Sequence, residues 1–262
     1  MTTSLSQINV YPVKAAGGFA VEHWPLDEFG LRLDRRWAVI DSAGVTLTQR
    51  DYAVMALVRT AVSEDGLRLQ APGMPLLRLP LGPAGGSRLP VRIWDDVCDA
   101  ERTGAEADAW WSALLGEPSH MVRMPDETLR PAGAGRVAFA DAFPLLIISE
   151  ASLGELNARL ERPVPMNRFR PNLVVAGAAA HAEDTWAEVR IGTEPFLLTR
   201  PCDRCVVTTI DQATAARGKE PLRTLAGYRR DADGRVLFGR YARHLSRGRL
   251  SVGDAVVPGP AS

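Results

Sequence analysis

Cysteine is scarce in this chain, with three residues, Cys98, Cys202 and Cys205, in 262. Three unevenly placed thiols do not make a disulfide framework, and they fall short of the four thiolates that common iron–sulfur clusters take. A reducing compartment and no iron–sulfur cluster in this chain are the resulting expectations. Long apolar runs are missing too. No stretch approaches the roughly 18 uninterrupted apolar residues of a membrane span, and MTTSLSQINVYPVK has neither the basic start nor the apolar segment of a secretory signal. Charge of one sign is also absent, since Lys plus Arg and Asp plus Glu both total 31, which removes any long-range pull toward nucleic acid or anionic lipid. The sequence therefore predicts a cytoplasmic protein with no nucleic acid and no membrane among its partners. It contains no G-x-G-x-x-G, Walker A, H-E-x-x-H or G-x-S-x-G motif, so the dinucleotide, nucleotide triphosphate, zincin and α/β-hydrolase classes lose their usual support.

What is present is an ordinary globular composition, 46% hydrophobic and 24% charged with 23 Gly and 19 Pro, long enough for one large domain or two small ones. The first hundred residues read as short strands broken by turns: SQINVYPV, LRLDRRWAVID, TLTQ, MALVRTAV, GLRLQAP, LLRLPL and VRIW. Several alternate apolar and polar residues with period two. AEADAWWSALLG at 105–116 reads as a helix stopped by Gly116, with Trp110 and Trp111 as core anchors, and the stretch PDETLRPAGAGRV reads as loop. The second half opens with the apolar strand FPLLIIS, which leads into an amphipathic helix with Ser149 and Ser152 as candidate caps. Strands are predicted at RPNLVVAG, AEVRIG, PFLLTRP, RCVVTTID, RVLFGRYA and RLSVGDAVVP, with a short helix over 219–229. The expected fold class is α+β and β-rich, with barrel-like sheets and few helices. The expected units are a β-barrel-like domain at 1–97 and a mixed domain at 98–262, divided somewhere between 97 and 130.

Two groups of residues carry possible chemistry. The first is RPCDRCVVTTID at 200–211, whose C-x-x-C spacing is shared by zinc sites, redox pairs, single reactive thiols and buried structural cysteines. Zinc needs further ligands, and the four His show no paired spacing. A redox pair ordinarily precedes a helix, whereas a β-branched run follows here. A thiolate between Arg200 and Arg204 fits a soft metal ligand or a nucleophile. The second group is basic: Lys14, Arg35, Arg36, Arg50, Arg168 and Arg170, each beside a turn or strand end. With the neighbouring Asn residues they suit a phosphate or a planar heterocycle, although any one of them is also an ordinary solvated ion-pair partner.

The segments YPVKAAGG, LDRRWAVID, TQRD, FPLLIISEASLGELNARL, RFRPNLVV, AEDTW, RPCDRCVVTTID, KEPLRTLAGYR, LFGRYA and LSVGDAV occur in the order seen in MOSC-domain proteins with a MOSC N-terminal β-barrel. The chain resembles this family from about residue 5 to 257, and within it the amidoxime-reducing components and their bacterial counterparts. The resemblance implies a molybdenum cofactor (molybdopterin), a phosphate-bearing pterin dithiolene, with Cys205 completing the metal's sulfur set. It implies cofactor contacts from Lys14, Arg35, Asp141, Ala142, Arg170, Asn172, Asp203, Arg204 and Tyr241, with Cys202 a neighbour. It further implies an oxidoreductase that reduces N-hydroxylated small molecules such as amidoximes, hydroxylamines and N-hydroxylated bases. Asp211, just past the cysteines, is a candidate catalytic proton relay, although local grounds favour an ordinary strand-ending Asp. No cysteine follows Cys205, so the expected electron donor is a separate protein, whether ferredoxin-like, a flavoprotein or cytochrome b5-like. The other implied activity is a sulfur-carrier or cofactor-handling module, because MOSC domains also occur fused to sulfurases. The chain departs from the family at Ala15, which follows the lysine where relatives carry Ser, at Ala142, where a hydroxyl residue is common, and at Gln212–Ala215, where Pro-x-Thr-Gly is frequent.

Overall fold

The computed structural model describes residues 2–133 and 135–259. Ala134, inside the stretch read as loop, lies outside the described residues, as do Met1 and the last three residues of the second expected unit. The fold is α+β and rich in strand, built from curled sheets and few helices. Its largest sheet has eight strands in the order Phe19–Val21, Ser4–Val10, Leu173–Ala176, Leu145–Ser149, Leu237–His244, Glu194–Asp203, Glu188–Ile191, Val256–Pro258. Strands from the first 21 residues thus lie in one sheet with strands of the second half.

The apolar run Leu145–Ser149 forms because both faces of the sheet are covered there. Leu145 and Ile147 enter a core with Leu5, Ile8, Leu173, Val175, Phe196 and Leu198. Leu146 and Ile148 point the other way, into a core with Leu156, Phe169, Cys202, Leu225 and Phe238. From this strand the chain enters the helix Glu150–Asn157, whose first turn is capped by the Ser149 hydroxyl accepting from the Ser152 N–H at 3.1 Å. It returns as Leu173–Ala176, parallel to Leu145–Ser149, and the return connection carries Arg168, Arg170 and Asn172 to the start of that strand.

In the first half, Trp37–Ile40, His120–Arg123, Asp96–Arg102 and Arg88–Ile93 form a four-stranded sheet. Trp37 and Val39 face one core and Ala38 and Ile40 another. The helix Ala105–Leu115 ends at Gly116, whose φ of 77° is left-handed. Trp111 is fully buried, and its indole N–H meets the Met121 sulfur at 3.2 Å, while Trp110 donates to the Pro75 carbonyl at 2.7 Å. Both are core anchors, as the sequence suggests.

Several local expectations are corrected. RCVVTTID is no strand, because Val206–Thr209 forms a 3-10 turn. Thr208 and Thr209 donate their hydroxyls back to the carbonyls of Cys205 and Val206 at 2.9 and 2.8 Å, a local pairing that outweighs β propensity. The helix expected over 219–229 is confined to Leu222–Ala226. TLTQ forms only an isolated bridge at Thr46, beside one at the preceding Val45, and MALVRTAV opens with the 3-10 turn Ala53–Leu57 before the strand Arg59–Ser63.

Candidate functional site

One cleft of about 910 Å³, measured to its open mouth, lies where strand ends in the middle of the large sheet meet loops of the first half. Its lining includes Lys14 beyond the end of Ser4–Val10, Asp141 and Phe143 ahead of Leu145–Ser149, and Arg168, Arg170 and Asn172 ahead of Leu173–Ala176. Tyr241 reaches it from Leu237–His244, and Cys202 through Cys205 reach it from the bulged end of Glu194–Asp203.

The cleft is strongly cationic in a chain of zero formal charge. Lys14, Arg35, Arg50, Arg168, Arg170 and Arg204 line it against two carboxylates, Asp141 and Asp203. Each of the inner cations is aimed by a specific partner. Lys14 is buried and donates to the Phe139 carbonyl at 2.9 Å and to Asp141 at 2.5 Å. Burial pulls its ammonium below the usual lysine range against the attraction of Asp141. Desolvation works against ionisation of Asp141, yet the Lys14 ammonium and the Trp94 N–H, 3.1 Å away, hold its carboxyl well below the usual range.

Arg35 and Arg170 both place their guanidinium groups on the Tyr11 ring, 4.4 and 4.5 Å from its centroid. Asp34, itself buried, takes Arg35 at 2.6 Å and the Tyr11 N–H at 2.8 Å. Arg170 donates to the Ala16 carbonyl at 2.5 Å. Burial and the neighbouring Arg35 charge depress Arg170 to about 10. Among the described residues Asp34 is the one carboxylate within ion-pair distance of either guanidinium, so two cations share one counter-charge. Backbone strain gathers in the same place. Of the seven described non-glycine residues with positive φ, Ala15, Arg35, Trp94 and Arg170 line this cleft. Such conformations cost about 1–3 kcal/mol each and persist at functional sites where the surroundings enforce them.

The two cysteines differ. Cys202 is buried, and burial pushes its thiol up, with Arg204 and Tyr241 acting in the opposite direction. Cys205 is half-buried and opens the 3-10 turn Val206–Thr209. Arg204 between them donates to the carbonyls of Phe238 at 2.8 Å and Phe169 at 3.2 Å. One of its terminal nitrogens, Nη2, is buried without a partner, as is Nε of Arg168. Two unpartnered N–H groups in one cationic cleft call for acceptors that the described chain does not provide. Cys98 lies elsewhere, in the core of the four-stranded sheet, where burial raises its thiol to about 11.

Of the residues singled out from sequence, Lys14, Arg35, Asp141, Arg170, Asn172, Asp203, Arg204, Cys205 and Tyr241 line this cleft, together with Arg50 and Arg168. Ala142 and Asp211 are not among the lining residues. One carboxylate oxygen of Asp211 accepts from the N–H groups of Ala213 and Thr214 and from the Thr214 hydroxyl at 2.9–3.1 Å, and the other pairs with Arg168 at 2.7 Å. Its carboxylate is therefore fully engaged in holding the turn and aiming Arg168. Arg36 turns away to Met124 and Asp126. Sequence reading missed Trp94, Gln49, Phe143 and the supporting Tyr11 and Asp34. The available signal for Trp94 was a bulky aromatic at the tip of two alternating segments, where turn residues are expected.

Residues 134–257 match the model of the MOSC domain, and residues 2–118 match that of the MOSC N-terminal beta barrel domain. The chain is 34% identical to the mitochondrial amidoxime reducing component 2 of Bos taurus, over 97% of this chain and 82% of that one. It is equally 34% identical to the mitochondrial amidoxime-reducing component 1 of Homo sapiens, again over 97% and 82%. With a molybdenum cofactor sulfurase of Danio rerio it shares 31% identity over 97% of its own length but 34% of the relative's.

Proposed function

The chain belongs to the family of MOSC domain proteins with a MOSC N-terminal β-barrel domain, and from that premise we propose that its cleft holds a molybdenum cofactor and reduces N-hydroxylated small molecules. The observation that carries this reading is the meeting of one half-exposed thiol, Cys205, with a surplus of buried cations in a single cleft. The chemistry supplied by that group when bound is two-electron cleavage of an N–O bond, in which R–NHOH takes up two electrons and two protons to give R–NH2 and water.

The residues present fit such a group. A thiolate suits a soft metal, and Cys205 is the half-buried thiol that lines the cleft and would hold it. Arg35 and Arg170, over-charged on the Tyr11 ring, suit a phosphate. The free N–H groups of Arg204 and Arg168 suit the carbonyl and ring-nitrogen acceptors of a pterin. Asn172, buried, accepts from the Leu146 N–H at 3.3 Å and donates to the Asn9 carbonyl at 3.2 Å, which fixes the floor. Lys14, Asp141, Asp203 and Tyr241 complete the holding set. Electrons come from a separate donor protein of ferredoxin, flavoprotein or cytochrome b5 type.

The test is molybdenum and pterin content of the protein purified from cells rich in the cofactor, beside Cys205→Ala and Cys202→Ala. Near-stoichiometric metal that disappears with Cys205 and largely survives loss of Cys202 is expected. Equal loss from both variants defeats the single-thiolate assignment. The second thiol in the same cleft favours one other reading, in which Cys205 carries sulfur as a persulfide. That reading predicts a 32 Da mass increment on the Cys205 peptide, about one sulfur atom, and no metal.

A further inference from the structure

We propose that Arg50, laid on Trp94 at the mouth of the cleft, selects substrates that carry an anionic group remote from the N–O bond. The inference rests on the reductase reading above and deepens it by naming a substrate class.

Arg50 differs from the other cations of the cleft. Lys14, Arg35, Arg168, Arg170 and Arg204 each donate to a protein carbonyl or carboxylate. Among the described residues the Arg50 guanidinium has no hydrogen-bond acceptor and no ion-pair partner. Its contact is the face of Trp94, 4.2 Å from the ring centroid. Of the two lining carboxylates, Asp141 is taken by Lys14 and the Trp94 N–H, and Asp203 accepts from Arg200 at 2.9 Å. A guanidinium held over an indole face, with no protein acceptor, has N–H donors available for a carboxylate or phosphate oxygen.

The arrangement is held rather than incidental. Gln49, next in the chain, is buried, and its amide donates to the Ala15 carbonyl at 2.5 Å and to Gln212 at 3.1 Å. Arg217 crosses from the far loop and donates to the carbonyls of Gln49, Arg50 and Asp51 at 3.3, 2.8 and 3.3 Å. Trp94 occupies the two-residue turn between Arg88–Ile93 and Asp96–Arg102 with φ of 55°, and stays 46% exposed. An ordinary exposed arginine loses much of its binding energy to side-chain entropy. Here the turn is anchored at both ends and the guanidinium is already placed, so an incoming anion meets a donor with little ordering left to do.

The experiment compares benzamidoxime with 4-carboxybenzamidoxime, which differ by one carboxylate para to the reacting group. With the loaded wild-type protein, kcat/KM for the carboxylate exceeds that for the neutral compound. In Arg50→Gln the ratio of the two falls by about fivefold, chiefly through KM, the size expected of one exposed charge pair. Arg50→Glu inverts the preference. Using the ratio within each variant cancels any difference in cofactor loading or folding. Calorimetric binding of the same two compounds separates this inference from the reading beneath it. If neither compound is reduced but the carboxylate binds more tightly and loses that advantage in Arg50→Gln, the charge selection stands and the reductase reading falls. An unchanged ratio in Arg50→Gln, or no binding of either compound, overturns the selection itself.

Discussion

Replacing Asp34 by Asn puts the paired arginines of the cleft to the test. Asp34 is 2% exposed and is the carboxylate that faces Arg35 at 2.6 Å, while its other oxygen accepts the Tyr11 N–H at 2.8 Å. Asparagine keeps an oxygen for Tyr11 but turns an NH2 group toward the guanidinium, so donor meets donor. Removing one partner from a buried ion pair costs about 3–5 kcal/mol. Arg35 retains the Arg170 carbonyl at 3.2 Å and the Tyr11 ring, which places the loss near the lower end, about 3 kcal/mol. For a chain of this size each kcal/mol shifts Tm by about 2–4 °C, so Asp34→Asn should melt roughly 6–12 °C below the wild type. The same reasoning makes the loss reversible by an anion. Inorganic phosphate at a hundredfold excess over its Kd returns about 2.7 kcal/mol, and it raises Tm more in the variant, where nothing else offsets Arg35 and Arg170. Circular dichroism melts with and without phosphate measure both effects. A variant that melts within about 1 °C of the wild type, or one that phosphate does not raise, refutes the account of an under-neutralised arginine pair.

Other substitutions probe the frame around the cleft. Gly239 has φ of 75°, and a Cβ there would lie 2.6 Å from Ile148 Cγ1 and 2.9 Å from the Ile147 carbonyl oxygen, so Gly239→Ala should lower stability by about 2–3 kcal/mol in urea unfolding. Ser149→Ala removes both the helix cap and the 2.6 Å contact with the Ser152 hydroxyl, a loss of about 1–2 kcal/mol by the same measurement. The backbone N–H of Ala213, then the Thr214 hydroxyl and N–H and Arg168, keep the Asp211 carboxyl below its ordinary range. A carboxyl depressed in the folded state stabilises above its unfolded value of about 3.9 and loses that contribution as pH falls through the folded one. Asp211→Asn should therefore melt below the wild type at pH 7, and the gap should close toward pH 2. A gap independent of pH would mean that the Asp211 charge contributes nothing.

The apolar strand Leu145–Ser149, its Ser149 cap and the Gly116 stop were legible because each is written in residues a few positions apart. The cationic cleft was legible in part for the same reason, since Lys14, Arg35 and Arg170 sit at strand ends that a periodic reading can find. What escaped depends on partners far along the chain. Asp34 reads as an ordinary turn acid until it is seen beneath Tyr11 and Arg35. Trp94 takes a left-handed φ in a hairpin turn with no glycine or asparagine to announce it. Asp96–Arg102 alternates acids with Val97 and Cys98 and gives little apolar signal, although it pairs with Arg88–Ile93 along its whole length. Val206–Thr209 misled because its β-branched residues favour strand on average, whereas two threonine hydroxyls close the turn locally.

The strand Ser4–Val10 lies inside the large sheet, between Phe19–Val21 and Leu173–Ala176. During synthesis it finds its first neighbour within seconds, but its second is about 160 residues away. At roughly 5–20 residues per second that interval is about 8–30 s. Over that time one hydrogen-bonding edge of an early strand stands open, with Leu5 and Ile8 uncovered, and the cleft still lacks Cys202, Cys205 and Tyr241. The second neighbour appears only when nearly two-thirds of the chain has been made, and the sheet is complete only with Val256–Pro258, so pairing at high sequence separation, rather than any single local element, should set the folding rate. A nascent chain of this kind is exposed to mispairing with its neighbours on a polysome for longer than one whose sheets are built from consecutive hairpins.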